Sequence, residues 1–307
     1  MEKNFSIQYI SRAAIDDKKW NHCITNARNG LIYAYTYYLD TMARNWSGLI
    51  LDDYAAVMPL TWHKKLGIHY LYQPFLTPVG GIFGSIQNEE LALPFLNSIP
   101  AYFKYIDISL NTQNQIKEKK LNPRERLNFI LSLQPTYKEL EKKYSTNHQR
   151  NIRKSVEAGC TVIHNPDVET IIALAVAQMN HYGQASKENI ERFRQLYAVL
   201  LQKGMTKTYG IASAEGNILS SCVFFLSHQR AYYILVGNAP ESRTTGASHL
   251  LIDAFIREHA TNNLVLDFEG SDIPGLADFY SGFGAMPEYY QSVRWNRLPF
   301  YLKWLKK

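Results

Sequence analysis

The run from Ala231 to Ala260 constrains this chain more than any other stretch. Ala231-Tyr-Tyr-Ile-Leu-Val-Gly237 reads as a strand, and it passes through a short polar loop into a regular helical pattern. Ala247, Leu250, Leu251, Ala254 and Phe255 fall on one helix face, while His249, Asp253, Arg257 and Glu258 fall on the other. The first face belongs in a core. Between strand and helix, Arg243-Thr-Thr-Gly-Ala offers backbone N–H groups, a hydroxyl cap and a glycine where the helix begins. A helix N-terminus with unpaired donors attracts anions, phosphate above all. The same residues also suit an ordinary capped helix, so spacing alone leaves the two readings open.

A chain of 307 residues, 46% hydrophobic and 20% charged, can bury a large core and has the length of two domains. No run approaches the roughly 18 apolar residues of a membrane-spanning helix. The opening Met1-Glu-Lys-Asn-Phe-Ser-Ile-Gln lacks the apolar centre of a signal peptide, so a cytoplasmic location is expected. Cys23, Cys160 and Cys222 are far apart and odd in number, which predicts small buried residues rather than a disulfide framework or a zinc site. The nine histidines show no His-x-x-x-His spacing, and no metal is expected. A net charge of +6 favours acidic or phosphorylated partners without identifying one.

Along its length the chain alternates strands and helices. Strands are predicted at 5–10, 68–72, 105–110 and 128–133, and helices at 16–27 and 33–45. Leu49 to Leu60 reads as strand, acidic turn, strand, with Pro59 implying an edge or a bulge. The second half predicts a helix over 147–159, a strand over 160–164 and helices over 168–181 and 187–202. The last of these has Ser186 as its cap and Gly204 as its stop. A hairpin then turns around Glu215-Gly-Asn and echoes the one near Asp52 and Asp53. Two halves that each offer helices and then a hairpin predict a duplicated unit, divided into residues 1–134 and 135–307.

This order of elements, with Arg243-x-x-Gly246-x-Ser248 opening the helix, Leu264-Val-Leu-Asp-Phe-Glu as the next strand and Phe279-Tyr-Ser-Gly-Phe-Gly-Ala after it, resembles the acyl-CoA-binding half of the GNAT superfamily of N-acyltransferases. Ser248 departs from the glycine or alanine usual at that place in the family's phosphate loop. The wider chain, with Asn147-His-Gln-Arg-Asn-Ile-Arg-Lys and Asp267-Phe-Glu-Gly270, is similar to the Fem-type branch, whose members are tandem GNAT-like proteins. The resemblance implies an α/β (α+β) protein of two tandem GNAT-like units, each a mixed, mostly antiparallel sheet flanked by helices, the N-terminal one degenerate.

It also implies a site. Leu235, Val236, Gly237 and Asn238 would lie along the acyl-CoA donor, and Arg243, Thr244, Thr245, Gly246, Ala247 and Ser248 would cradle its pyrophosphate. Tyr280 falls where the family's tyrosine donates a proton to the departing thiolate, a place where Fem-type sequences often carry lysine. Acyl transfer also needs a neutral amine. Asp267 and Glu269 alternate with Leu266 and Phe268, which puts both acids on one face of a predicted strand, and Glu269 is the preferred base because it is nearer the strand's C-terminal end. Such acids can equally be a solvated strand end, with Asp272 capping the next helix.

Two basic stretches remain, Lys142 to Lys154 and Arg294 to Lys307, the second mixed with aromatics. Either could meet a phosphorylated acceptor, tRNA or a membrane surface, or be a solvated face. Three function classes are open. The first is acetyl or other acyl transfer from acyl-CoA to a small-molecule or peptide-like amine. The second is an aminoacyl-tRNA-dependent transferase of cell-wall precursors, the only reading in which a nucleic acid is a partner. The third is a binding protein that kept the fold without the chemistry. Tyr280 and the Arg-x-x-Gly loop favour the first.

Overall fold

The computed structural model describes residues 6–84, 91–180, 186–270, 272 and 274–306. The chain forms two compact units, Met1–Arg126 with Tyr289–Lys307, and Leu127–Glu288. Where the sequence suggests a division after residue 134, contacts divide the chain after Arg126, and the last nineteen residues (289 to 307) pack with the first unit.

Unit 1 is built on an antiparallel run of β1 (Ile7–Ser11), β2 (Asn45–Leu51) and β3 (Ala56–Lys65), with β4 (Ile68–Leu71) turning back on β3 and β5 (Phe83–Gly84) pairing with its start. β6 (Phe103–Ser109) runs parallel to β4. Pro59 sits in β3 opposite Gly48 of β2, between the stretches taken by β5 and β4, so its missing N–H leaves no neighbouring strand unpaired. Helix α1 (Asp17–Asn26) starts where Asp16 accepts the Lys18 and Lys19 N–H groups, and it drives Trp20 into the core, where the indole donates to the Ala34 carbonyl at 2.7 Å. Helix α2 (Thr36–Met42) is shorter than the 33–45 predicted, because Asn45 already opens β2. Helix α3 (Ala92–Asn97) adds Phe95 and Leu96 to the core.

Unit 2 starts with β7 (Arg124–Ser132), α4 (Tyr137–Glu141), α5 (Thr146–Glu157) and β8 (Thr161–His164). Then come α6 (Val168–Asn180), α7 (Lys187–Gln202), β9 (Thr206–Ala212), β10 (Ile218–Ser227) and β11 (Arg230–Asn238). The one-turn helix α8 (Ser242–Thr245), α9 (Ala247–His259), β12 (Val265–Asp267), α10 (Pro274–Ser281) and β13 (Met286–Asn296) complete the trace. The sheet order is β7-β12-β11-β10-β9-β8, antiparallel except for the parallel pair β11–β12. The end of β13 returns to unit 1 and pairs antiparallel with β6, from Ser292↔Ser109 to Asn296↔Tyr105.

Helix α7 carries the expected punctuation: Ser186 accepts the Asn189 N–H, and Gly204 takes φ +67 just past the end. The prediction for α6 ends on His181, which lies outside the described residues. Of the apolar face foreseen for α9, Ala247, Leu250, Leu251 and Phe255 are buried, with Phe255 stacked 3.9 Å from Phe224 and packed edge-on against Tyr209, and Ala254 is half-buried. Asp253, foreseen on the opposite face, is buried too, because its carboxylate accepts the Tyr137 and Tyr144 hydroxyls at 2.8 and 3.1 Å. Cys23, Cys160 and Cys222 are buried and unpaired by disulfides.

Candidate functional site

The parallel pair β11–β12 lasts only from Arg230↔Val265 to Tyr232↔Asp267. From Tyr233 onward β11 keeps β10 as its pairing partner, and β12 turns away, the Phe268 N–H bonding to Phe129 on the β7 side at 3.0 Å. A bulge accompanies the parting: Phe224 pairs with Tyr233 and Val223 with Leu235, leaving Ile234 as the extra residue. Bulges increase strand twist, which is what two diverging neighbours require. Leu235, Val236, Gly237 and Asn238 therefore line a strand edge without a partner strand on the β12 side among the described residues.

Aromatic rings fill the base of the parting. Tyr233 meets Phe268 edge-on at 6.2 Å, and Phe268 stacks on Tyr280 of α10 at 4.5 Å. Burial pushes the Tyr280 hydroxyl up to about 12, with the nearby Glu269 carboxylate adding to the shift, so it stays protonated near neutral pH. Among the described residues the Tyr280 hydroxyl makes no hydrogen bond, although the ring is 8% exposed.

The two acids separate. Asp267 is 4% exposed; its carboxylate lies 2.5 Å from the Arg230 guanidinium and accepts the Asn128 amide and the Glu269 N–H, both at 2.9 Å. Arg230 also reaches Glu288 at 3.3 Å. This is a brace across β7, β12 and β11. A shared face for Asp267 and Glu269 does not form, because β12 ends at Asp267 and Glu269 takes the left-handed conformation at φ +66. Such a φ is uncommon outside glycine and costs on the order of 1–3 kcal/mol, a strain that gathers at functional sites. Asp272 accepts the Leu127 N–H at 3.3 Å.

The loop is more ordered than its composition suggests. Ser242 to Thr245 wind into α8, and the N–H groups of Ser242, Arg243, Thr244, Thr245 and Gly246 all bond to carbonyls from Ala239 to Ser242. The Thr244 and Thr245 hydroxyls bond to Glu241 O. Among the described residues the loop's expected free donors are thus reduced to those of Ala247 and Ser248 at the start of α9. Gly246 is required by the backbone itself: it turns the chain at φ +77, and a Cβ there would lie 2.3 Å from the Asn151 carbonyl oxygen of α5. A β-branched residue at 246 would strain the fold, so the position cannot report on phosphate contact alone. Ser248, the departure from the family pattern, donates to Asn238 at 2.8 Å and meets Ser242 at 2.7 Å, stapling α9 to the end of β11. Ser220 donates to the same Asn238 oxygen, and Gln178 of α6 accepts the Asn238 N–H at 2.9 Å. Helix α6 lies close on this strand, since a Cβ on Gly237 would meet Ala175 N at 2.5 Å. Gln178, Ser220 and Ser242 had no sequence signal; each becomes visible only when its element is folded.

Beneath the loop, His148 of α5 meets Phe279 O and Ser145 Oγ, both at 2.8 Å, and packs edge-on against His249 of α9 at 4.7 Å. Burial first, and His148 second, bring His249 down to about 4. Both rings are neutral clamps near neutral pH. Arg150, Arg153 and Lys154 lie on the exposed face of α5. Among the described residues no group of three or more His, Cys, Asp or Glu could hold a metal ion, and no helix is long and apolar enough to cross a membrane.

Residues 142–278 match the Acetyltransferase (GNAT) domain family. No curated protein matches the chain. Among solved structures the chain is similar to FemX, at 14% identity over 97% of this chain and 99% of that one, with a TM-score of 0.65. It is also similar to a conserved protein of unknown function from Bacteroides thetaiotaomicron, at 10% identity, 94% and 99% coverage and a TM-score of 0.57. L-PGS from Bacillus licheniformis gives 10% identity, 85% and 87% coverage and a TM-score of 0.51. At these identities the likeness is one of fold. Residues 142–278 thus resemble a GNAT domain, and the chain as a whole shares the tandem GNAT-like fold of FemX.

Proposed function

We propose that unit 2 is an N-acyltransferase that moves an acetyl or other acyl group from acyl-CoA to an amine. The observation that carries this reading is Tyr280, whose hydroxyl has no hydrogen bond among the described residues and sits beside the point where β11 and β12 part. A thioester donor would lie along the free edge from Leu235 to Asn238, with its phosphates towards the start of α9, where the Ala247 and Ser248 N–H groups and the helix dipole favour anions. Arg243 is exposed at the same turn and adds charge.

The chemistry balances with two residues. The neutral amine nitrogen bonds to the thioester carbonyl carbon, and the C–S bond breaks. Tyr280 gives its proton to the departing sulfur, and Glu269 takes the proton released by the nitrogen. Solvent restores both. A phenol held near 12 is protonated at neutral pH, and the burial that raises it also makes it a weaker acid, so its proton moves only as charge develops on the sulfur. Asp267 is a positioning residue: its ion pair with Arg230 holds the strand end from which Glu269 and Phe268 project.

The test is acetyl transfer from acetyl-CoA to a panel of small primary amines. Tyr280→Phe keeps the ring stack and removes the proton, so turnover is expected to fall by roughly 10²–10⁴ while CoA affinity holds. Unchanged turnover would return Tyr280 to a packing role. Tight binding that prefers aminoacylated over bare tRNA, with no transfer from acetyl-CoA, would replace this donor by aminoacyl-tRNA.

A further inference from the structure

Three segments meet at one end of the unit 1 sheet. Because β4 and β6 are parallel, the β3–β4 turn lies at the N-terminal end of β6. Because β13 runs antiparallel to β6, its C-terminal end arrives there too. The Arg297 N–H donates to Lys104 O at 2.8 Å, and its guanidinium donates to Ile99 O at 3.1 Å and Pro100 O at 3.3 Å. The next residues stay close, since the three residues that follow Arg297, ending at Phe300, reach at most about 11 Å from it.

This end combines two properties that rarely share a surface. It presents large apolar side chains to solvent: Leu66 at the tip of the turn is 90% exposed, Phe300 86%, Tyr301 60% and Tyr102 44%. It is also uniformly cationic. Lys64 and Lys65 flank Leu66, Lys104 and Lys303 are exposed, and residues 61–72, 97–106 and 295–307 contain no aspartate or glutamate. The nearest acid along β6, Asp107, is paired with Arg294 at 3.1 Å. Clustered exposed apolar groups on a soluble surface mark an interaction site. From this juxtaposition we infer that this end of unit 1 docks on an anionic lipid bilayer, with Leu66 and Phe300 entering the acyl boundary, Tyr102 and Tyr301 at headgroup depth and the lysines on the lipid phosphates.

The occupant is set by chemistry. Lysines beside aromatics would serve a nucleic acid as well, but an aliphatic leucine at the extreme tip has no π-face to stack on a base and gains only by leaving water. Apolar anchors ringed by cations are what an anionic interface selects. The inference does not depend on the acyltransferase reading of unit 2.

Vesicle flotation of the full chain tests it, using phosphatidylcholine vesicles with and without phosphatidylglycerol at about 0.15 M salt, the physiological ionic strength. Binding is expected to the anionic vesicles and not to the neutral ones. Lys64→Gln with Lys65→Gln is expected to weaken it by roughly tenfold. Leu66→Ser with Phe300→Ser, changes at exposed positions, is expected to weaken it by at least roughly tenfold with the charge unchanged. Failure of the wild-type chain to float with anionic vesicles overturns the proposal. So does flotation of the serine variant equal to wild type, which would reduce the effect to charge alone, or complete displacement from vesicles by single-stranded oligonucleotide.

Discussion

Unit 1 pairs β4 with β6 in parallel as far as Leu71↔Ile106, and unit 2 pairs β11 with β12 in parallel as far as Tyr232↔Asp267. Beyond these parallel pairs the two units differ. In unit 1 the chain after β4 fills the gap: Gln73 accepts the Ser109 N–H at 3.1 Å, and Gly80 donates to Ser109 O at 3.0 Å and bridges Leu110 in parallel. Asn114 accepts the Ile82 N–H at 2.7 Å, and Asn111 donates to Ile82 O at 2.9 Å. In unit 2 the chain after β11 winds into α8 and α9 instead, and the edge from Tyr233 to Asn238 is left with rings at its base. Similar strand pairs thus end in an amide-filled seam in one unit and an open edge in the other. Under the acyl-CoA reading, the open one is where the donor's amides would take the place of a strand.

The largest effects are expected from the two acids at the open end. Asp267→Asn leaves the half-buried Arg230 with Glu288 as its remaining carboxylate, so a loss of about 1.5–3 kcal/mol, the worth of a charged hydrogen bond, is expected in denaturant unfolding. Glu269→Gln should fold as wild type and lose about 10²-fold in acyl transfer, the usual yield of one general base. Equal effects of the two substitutions on both readouts would dissolve the division of labour between them.

A smaller effect separates the ends by pH. The seam of unit 1 rests on amides, which do not titrate, whereas α5, α9 and α10 of unit 2 meet around His148 and His249. His249 is held at about 4, below the ordinary 6.5. The folded state therefore resists a proton that the unfolded chain accepts. Stability is full above about pH 6.5, the ordinary histidine value, and falls as the pH drops towards 4. Hydrogen exchange is expected to show α9 and α10 opening first over that window, and His249→Gln should flatten the dependence. Simultaneous loosening of the amide seam would contradict this assignment.

The smallest effect belongs to the closed end. Gln73→Ala removes one hydrogen bond to Ser109 and should cost about 1 kcal/mol in thermal unfolding, with acyl transfer unchanged.

Much of this was legible in the sequence. The alternation and the apolar stripes marked most elements, though not β5, α3, α4 or α8, and Ser186, Gly204 and the Arg-x-x-Gly loop fell where helices begin and end. The failures share one cause. Period-two alternation put Asp267 beside Glu269, but the strand is only three residues long, and its partners Arg230 and Asn128 come from distant strands. The loop looked rich in free donors because composition does not show that Ser242 to Thr245 coil back on Ala239, Pro240 and Glu241. The return of β13 to β6 crosses most of the chain, and nothing local in Val293 or Trp295 announces which sheet they join.

Calorimetric titration of the wild-type chain with acetyl-CoA puts the contrast between the open edge and the filled seam to the proof. If the open edge of β11 is the donor site and the seam of unit 1 is closed, one equivalent should bind per chain, and Tyr280→Phe should leave that stoichiometry and affinity in place. An absence of binding would contradict the donor site, as would two equivalents per chain, because the second would have to enter an end that Gln73 and Gly80 already fill.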